Sequence, residues 1–187
     1  IYDIENKKQT QITSKSRYYY PILAPNKHEI LTIEVDLSND YKLNLIDINS
    51  KKITKTISIE KNIQLQQPSF NSNGSKIIAI AISKLGTNLV EITLESGKME
   101  YLQNWENQQL ERPSYIDDNH VIFKAHYNGT DNIFQYNLSN KSIKRITAAE
   151  YGAFNPSFNE KTNEILFNNY QYNGYKEDFY LANYEPN

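Results

Sequence analysis

Few residues in this chain could do chemistry. The three histidines are His28, His120 and His126. Metal ligation or general-base work would need at least two of them to converge with carboxylates. His28-Glu29 lacks the second histidine of a zinc-protease HExxH helix and stands at the start of an apolar run. His120 and His126 flank the apolar stretch VIFKA, and nothing in that spacing brings them onto one ion. All three read as surface or half-buried histidines, so no metal and no cofactor is expected. Asp117-Asp118 has the composition of an acid–base pair, but it fills a turn slot, where Asp hydrogen-bonds nearby backbone. Cysteine is absent, which excludes disulfides, thiolate zinc sites and thiol nucleophiles. No G-x-S-x-G elbow and no Walker loop occurs. The expectation is a chain without a catalytic site.

Binding chemistry is better represented. Tyrosine occurs 15 times, with concentrations at Tyr18-Tyr19-Tyr20 and Tyr170-Gln-Tyr-Asn-Gly-Tyr175. Tyr brings contact area and a hydroxyl at low entropic cost, which suits a protein or peptide partner. Tyr18, Tyr19, Tyr172 and Tyr175 are the candidate contacts, with the sole tryptophan, Trp105 in NWENQ, as a further anchor. The competing reading is that these rings pack between layers of the fold. A net charge of −2 with no Lys/Arg block argues against nucleic acid. No apolar run approaches the roughly 20 residues of a membrane-spanning helix.

A repeat must position these residues. The phrase QPSFNSNGSKIIAIAI (67–82) returns as RPSYIDDNHVIFKA (112–125) and NPSFNEKTNEILFN (155–168), with a looser copy, YPILAPNKHEILTI, at 20–33. The prolines Pro21, Pro68, Pro113 and Pro156 are spaced 47, 45 and 43 residues apart. Such a period marks propeller blades of four strands each. Each phrase is followed by an alternating apolar–polar segment, a polar turn and a shorter segment, as in NLVEITL, ESGK and MEYL. Proline lacks an N–H, so its recurrence is read as the start of each first strand. The aromatic two residues on (Phe70, Tyr115, Phe158) should pack between blades, and the next apolar run should be the second strand, near 28–36, 76–83, 120–127 and 164–170.

Gly129-Thr-Asp-Asn-Ile-Phe-Gln-Tyr-Asn-Leu138 with Lys144-Arg-Ile-Thr147, and Pro68-Ser-Phe-Asn-Ser-Asn-Gly-Ser-Lys76, resemble the TolB-like, WD-type propeller repeat of bacterial periplasmic proteins. The resemblance covers nearly the whole chain. The usual Asp-Gly turn is Asn73-Gly74 in one unit, and the glycine is replaced in the others. It implies an all-β propeller of four-stranded antiparallel blades, and a periplasmic or extracellular location. Units are expected at 1–16 (two strands), 17–61, 62–107, 108–150 and 151–187 (three strands), seventeen strands within one propeller domain or fragment. The start at Ile1, without initiator Met or signal peptide, reads as a segment of a longer propeller, whose open blade edges could self-associate. The function expected is protein or peptide binding, or gating of a catalytic domain elsewhere in a parent protein. The alternatives are a metal-dependent polysaccharide lyase and a purely structural scaffold.

Overall fold

The computed structural model describes residues 1–172 and the backbone of the strand Asp178–Asn183. Among the described residues there are seventeen strands and one short 3₁₀ turn, Tyr127–Gly129, and no α-helix. The chain divides into two compact units, Ile1–Gln64 and Leu65–Asn187.

The first unit holds a small hairpin, β1 (Tyr2–Asp3) with β2 (Lys8–Gln9), and an antiparallel sheet in the order β3 (Tyr18–Leu23), β4 (Glu29–Val35), β5 (Tyr41–Asp47), β6 (Ile53–Ser58). The second unit holds two four-stranded antiparallel sheets. One is β7 (Gln64–Phe70), β8 (Lys76–Ser83), β9 (Gly86–Thr93) and β10 (Met99–Tyr101); the other is β11 (Leu110–Tyr115), β12 (His120–Ala125), β13 (Asn132–Asn137) and β14 (Ile143–Arg145). A three-stranded sheet follows: β15 (Ala153–Asn159), β16 (Glu164–Asn169) and β17 (Asp178–Asn183). Each sheet is an up-and-down meander, and the second strands β4, β8, β12 and β16 fall where the repeat predicts them. The Asn71–Ser75 turn closes with the Gly74 N–H donating to the Asn71 carbonyl at 3.1 Å.

The second strands carry the core because both their faces are covered. Ile77, Ile78, Ala79, Ile80 and Ala81 are all buried, as are Val121, Ile122 and Phe123. Strand alternation then sorts them by side. Ile78, Ile80 and Leu89 from one sheet cluster with Val121, Phe123, Ala125 and Tyr136 from the next. Ile122 and Ile133 use the opposite face to meet Ile165, Phe167 and Ala153. Each such buried side chain contributes about 1.5–3 kcal/mol. Tyr115 packs against the first cluster and Phe158 against the second, as the repeat implies, while Phe70 is half-buried.

The prolines do not start their strands. Pro21, Pro68, Pro113 and Pro156 lie inside β3, β7, β11 and β15. The residue before each is left-handed: φ is +50° at Tyr20, Gln67 and Arg112 and +52° at Asn155. In β3, β11 and β15 the pairing register shifts at this point, which is a β-bulge. The bulge is what admits proline, since a locally interrupted ladder does not need the missing N–H. A non-glycine residue held left-handed costs on the order of 1–3 kcal/mol, so the surrounding packing enforces the conformation.

Gly86 marks a second close approach. Its φ is +117°, and a Cβ there would lie 2.3 Å from the Glu106 carbonyl oxygen. Gly86→Ala should therefore lower stability by on the order of 2–3 kcal/mol. Gly129→Ala, with nothing within 4 Å of its Cβ position, should cost only about 1 kcal/mol. Urea denaturation midpoints of the two variants check this difference.

Candidate binding surface

The sheets of the Leu65–Asn187 unit have two unlike ends. One carries the turns after the first and third strands, and its side chains are consumed by the turns themselves. Asn71 Oδ1 accepts from the Lys76 N–H, Asn73 Oδ1 from the Ser75 N–H and Asn137 Oδ1 from the Ser139 N–H, all at 2.9 Å. Asp117 Oδ1 accepts from the Asn119 N–H at 2.7 Å, so the aspartate is a turn former. His120 closes the same turn, with Nδ1 2.9 Å from Asp117 and Nε2 3.0 Å from the Asn137 amide.

The other end carries the loops after the second and fourth strands; here Ser83 Oγ accepts from the Leu85 N–H at 3.0 Å, and the other side-chain bonds hold the longer loops. Two buried asparagines anchor these loops. Asn88, at the start of β9, donates to the Gln103 carbonyl at 2.7 Å and accepts from the Gln103 N–H at 3.0 Å. Asn132, in the same position of β13, accepts from Thr147 Oγ1 and from the Ala149 N–H, both at 2.9 Å. The loops they hold present aromatic rings. Trp105 is half-buried and packs on Tyr101, with ring centroids 5.0 Å apart. Tyr127 stands edge-on to Phe134 at 4.8 Å and donates its hydroxyl proton to Gln103 Oε1 at 3.0 Å. Burial, then the nearby Glu106, pushes the Tyr127 hydroxyl above its ordinary pKa. Tyr151 and Tyr172 lie 6.0 Å apart, and Tyr172 is 81% exposed.

Of the residues singled out from sequence, Trp105 and Tyr172 both lie on loops at this end. Tyr175 lies outside the described residues. Tyr18 and Tyr19 belong to the Ile1–Gln64 unit. There Tyr19 is 49% exposed, whereas Tyr18 lines a cavity of about 540 Å³ with Thr10, Ile12, Pro21, Ile30 and Thr32. His126 follows β12, with Nδ1 3.3 Å from Asp131 Oδ1. His120 opens that strand, so the two histidines stand about 20 Å apart at a strand rise of about 3.3 Å per residue. His28 precedes β4 in the first unit.

A buried cation at the loop end was not anticipated. Lys124 is 1% exposed. Its Nζ lies 2.8 Å from Asp131 Oδ1 and 3.2 Å from Glu111 Oε1, with the Phe154 ring centroid at 5.9 Å. The sequence signal was a lysine where the repeat writes Ile80 one unit earlier. Two carboxylates from flanking strands offset its desolvation and tie β11, β12 and β13 together at this end.

The chain has a TolB-like β-propeller fold, and its sheets are the blades. TolB from Acinetobacter baumannii superposes with a TM-score of 0.78 at 16% identity, over 97% of this chain and 45% of that one. An oligogalacturonate lyase solved in complex with manganese gives 0.77 at 15% identity, over 97% and 55%. A puromycin hydrolase gives 0.65 at 13%, over 82% and 27%. The chain thus spans about half the length of the TolB and lyase structures. No protein-family model and no curated protein sequence matches it.

Two predictions follow the charges. Lys124→Ala strands Asp131 and Glu111 and should destabilise the fold by about 3 kcal/mol, whereas Lys124→Met with Asp131→Asn should recover part of that loss in calorimetry. The Tyr115 hydroxyl donates to Glu91 Oε1 at 2.9 Å; burial, then the Glu91 charge, holds its pKa far above the ordinary value. The unfolded chain releases that proton near pH 10 while the folded chain keeps it. Its contribution is therefore full below about pH 10 and is lost as pH rises further. Denaturation series from about pH 9 to 11 should show a steeper loss in the parent than in Tyr115→Phe.

Proposed function

We propose that this chain is a non-catalytic propeller domain that holds a protein or peptide on the loop end of its blades. One observation carries the reading: the turn end is closed by its own hydrogen bonds, while the loop end presents Trp105, Tyr127, Tyr151 and Tyr172, with the loops after β10 and β14 anchored by Asn88 and Asn132. Tyr151 and Tyr172 are exposed and Trp105 and Tyr127 are half-buried, and aromatic rings on loops are what a recognition surface uses. The histidines support binding over metal chemistry, since His120 and His126 are engaged separately at opposite ends of one strand. Among the described residues no group of three His, Asp or Glu side chains is placed to hold a metal ion.

Among the described residues no helix is long and apolar enough to cross a membrane. The resemblance of the repeat to periplasmic propellers supports a periplasmic or extracellular site of action. The same surface could gate a catalytic domain carried by a longer parent protein, as the likeness to a peptidase propeller suggests.

Panning a random peptide library on the chain should enrich binders. Trp105→Ala with Tyr172→Ala should weaken the selected peptides at least tenfold, because an aromatic anchor in a hot spot contributes about 2 kcal/mol or more. The melting temperature should change little. Unchanged affinity in the double variant would remove this surface from consideration, and a large drop in melting temperature would make the two rings structural.

A further inference from the structure

The four left-handed residues before the prolines sit on first strands, which are edges of their sheets. In the Leu65–Asn187 unit the first strands converge: β11 touches β15, and β7 reaches β11 through a hydrogen bond. That bond joins two of the left-handed residues, because Gln67 Oε1 accepts from the Arg112 N–H at 2.6 Å. Bulges re-aim side chains and are frequent beside functional sites, and strained residues cluster at ligand clamps.

The chemistry at this junction is one-sided. Gln67 Oε1 accepts from the Arg112 backbone, which fixes the carboxamide and leaves its Nε2 amide as the donor. Arg112 is exposed, and its guanidinium has no ion-pair or hydrogen-bond partner among the described residues. The adjacent carboxylate does not neutralise it, since Glu111 Oε1 already takes Lys124 at 3.2 Å and the Gln109 amide at 2.8 Å. The third left-handed residue before a proline in this unit, Asn155, donates one amide N–H to Asn168 Oδ1 at 2.9 Å within its own sheet. A guanidinium and an amide donor carried by two residues that this bond joins suit a carboxylate, which accepts hydrogen bonds from both kinds of donor.

We propose that Arg112 and Gln67, two left-handed residues joined by a hydrogen bond, form a binding site for a carboxylate carried by the bound peptide. This deepens the peptide-binding reading and rests on it. The backbone explains why the site lies here: Arg112 is left-handed and exposed at the register shift of the edge strand β11, and Pro113 fixes the backbone that follows.

The test uses nitrogen-15-labelled chain and a minimal probe. N-acetylglutamate methylamide should shift the Arg112 side-chain N–H resonance and the Gln67 amide resonances, and added salt should weaken the effect. N-acetylglutamine methylamide should leave both in place. Arg112→Gln should abolish the remaining Gln67 response, Arg112→Lys should weaken it at least threefold, and Arg145→Gln, on a distant exposed strand, should not alter it. Any acidic peptide selected on the parent should bind Arg112→Gln at least tenfold more weakly. The site is overturned if the glutamate probe moves neither resonance, if the glutamine probe moves them equally, or if acidic peptides bind Arg112→Gln unchanged. That last result would leave peptide binding standing. A glutamate response without any enriched peptide would support the site and contradict the broader reading.

Discussion

Everything in the Leu65–Asn187 unit depends on the second strand of one sheet packing against the second strand of the next. β12 shows how. Val121 and Phe123 face Ile78 and Ile80, while Ile122, one residue out of phase, faces Ile165 and Phe167. A strand buried on both faces must be apolar at successive positions, which is why the repeat writes runs such as IIAIAI rather than strict alternation. The third strand β13 is buried as well, from Asn132 to Tyr136, while the first and fourth strands are less covered.

That layering decides where function can sit. The packed faces are closed to a partner, so what remains are the two ends and the converging first strands. The turn end spends its Asn, Asp and His side chains on local hydrogen bonds. The loop end is supported instead by Asn88, Asn132 and the Lys124 cluster, which satisfy backbone and charge there, and Tyr151 and Tyr172 stay exposed. The bulges do comparable work along the first strands. Proline and a bulge spoil an edge for pairing with another chain, and Arg112 is exposed at the register shift of β11.

Much of this architecture was legible in the sequence. The proline spacing set the blade period, and the second strands followed from the apolar runs behind each polar turn. What the sequence hid was local geometry. The prolines read as strand starts because a missing N–H is usually tolerated there, yet each sits mid-strand behind a left-handed residue. No residue type announces that conformation when Tyr, Gln, Arg and Asn all adopt it. The proposed binding surface was only partly legible. Trp105 and Tyr172 lie on loops at one end of the sheets, but Asn88, which holds the loop of Trp105, looked like an ordinary polar strand residue. Lys124 looked like an interruption of an apolar strand until Glu111 and Asp131 were found beside it. Tyr18, by contrast, lines a cavity within its own unit, because the N-terminal segment lies over that face of the sheet.

The central claim is that sheets β7–β10, β11–β14 and β15–β17 are interlocked blades, not independent meanders. Native-state hydrogen exchange tests it most directly. Amides of β8 and β12 should form the most protected class and should exchange together, with free energies equal to global unfolding. Lys124→Ala, although it lies in β12 alone, should lower protection in β8 by the same amount as in β12. Separate exchange of the sheets, with loss confined to β11–β14 in that variant, would contradict the account.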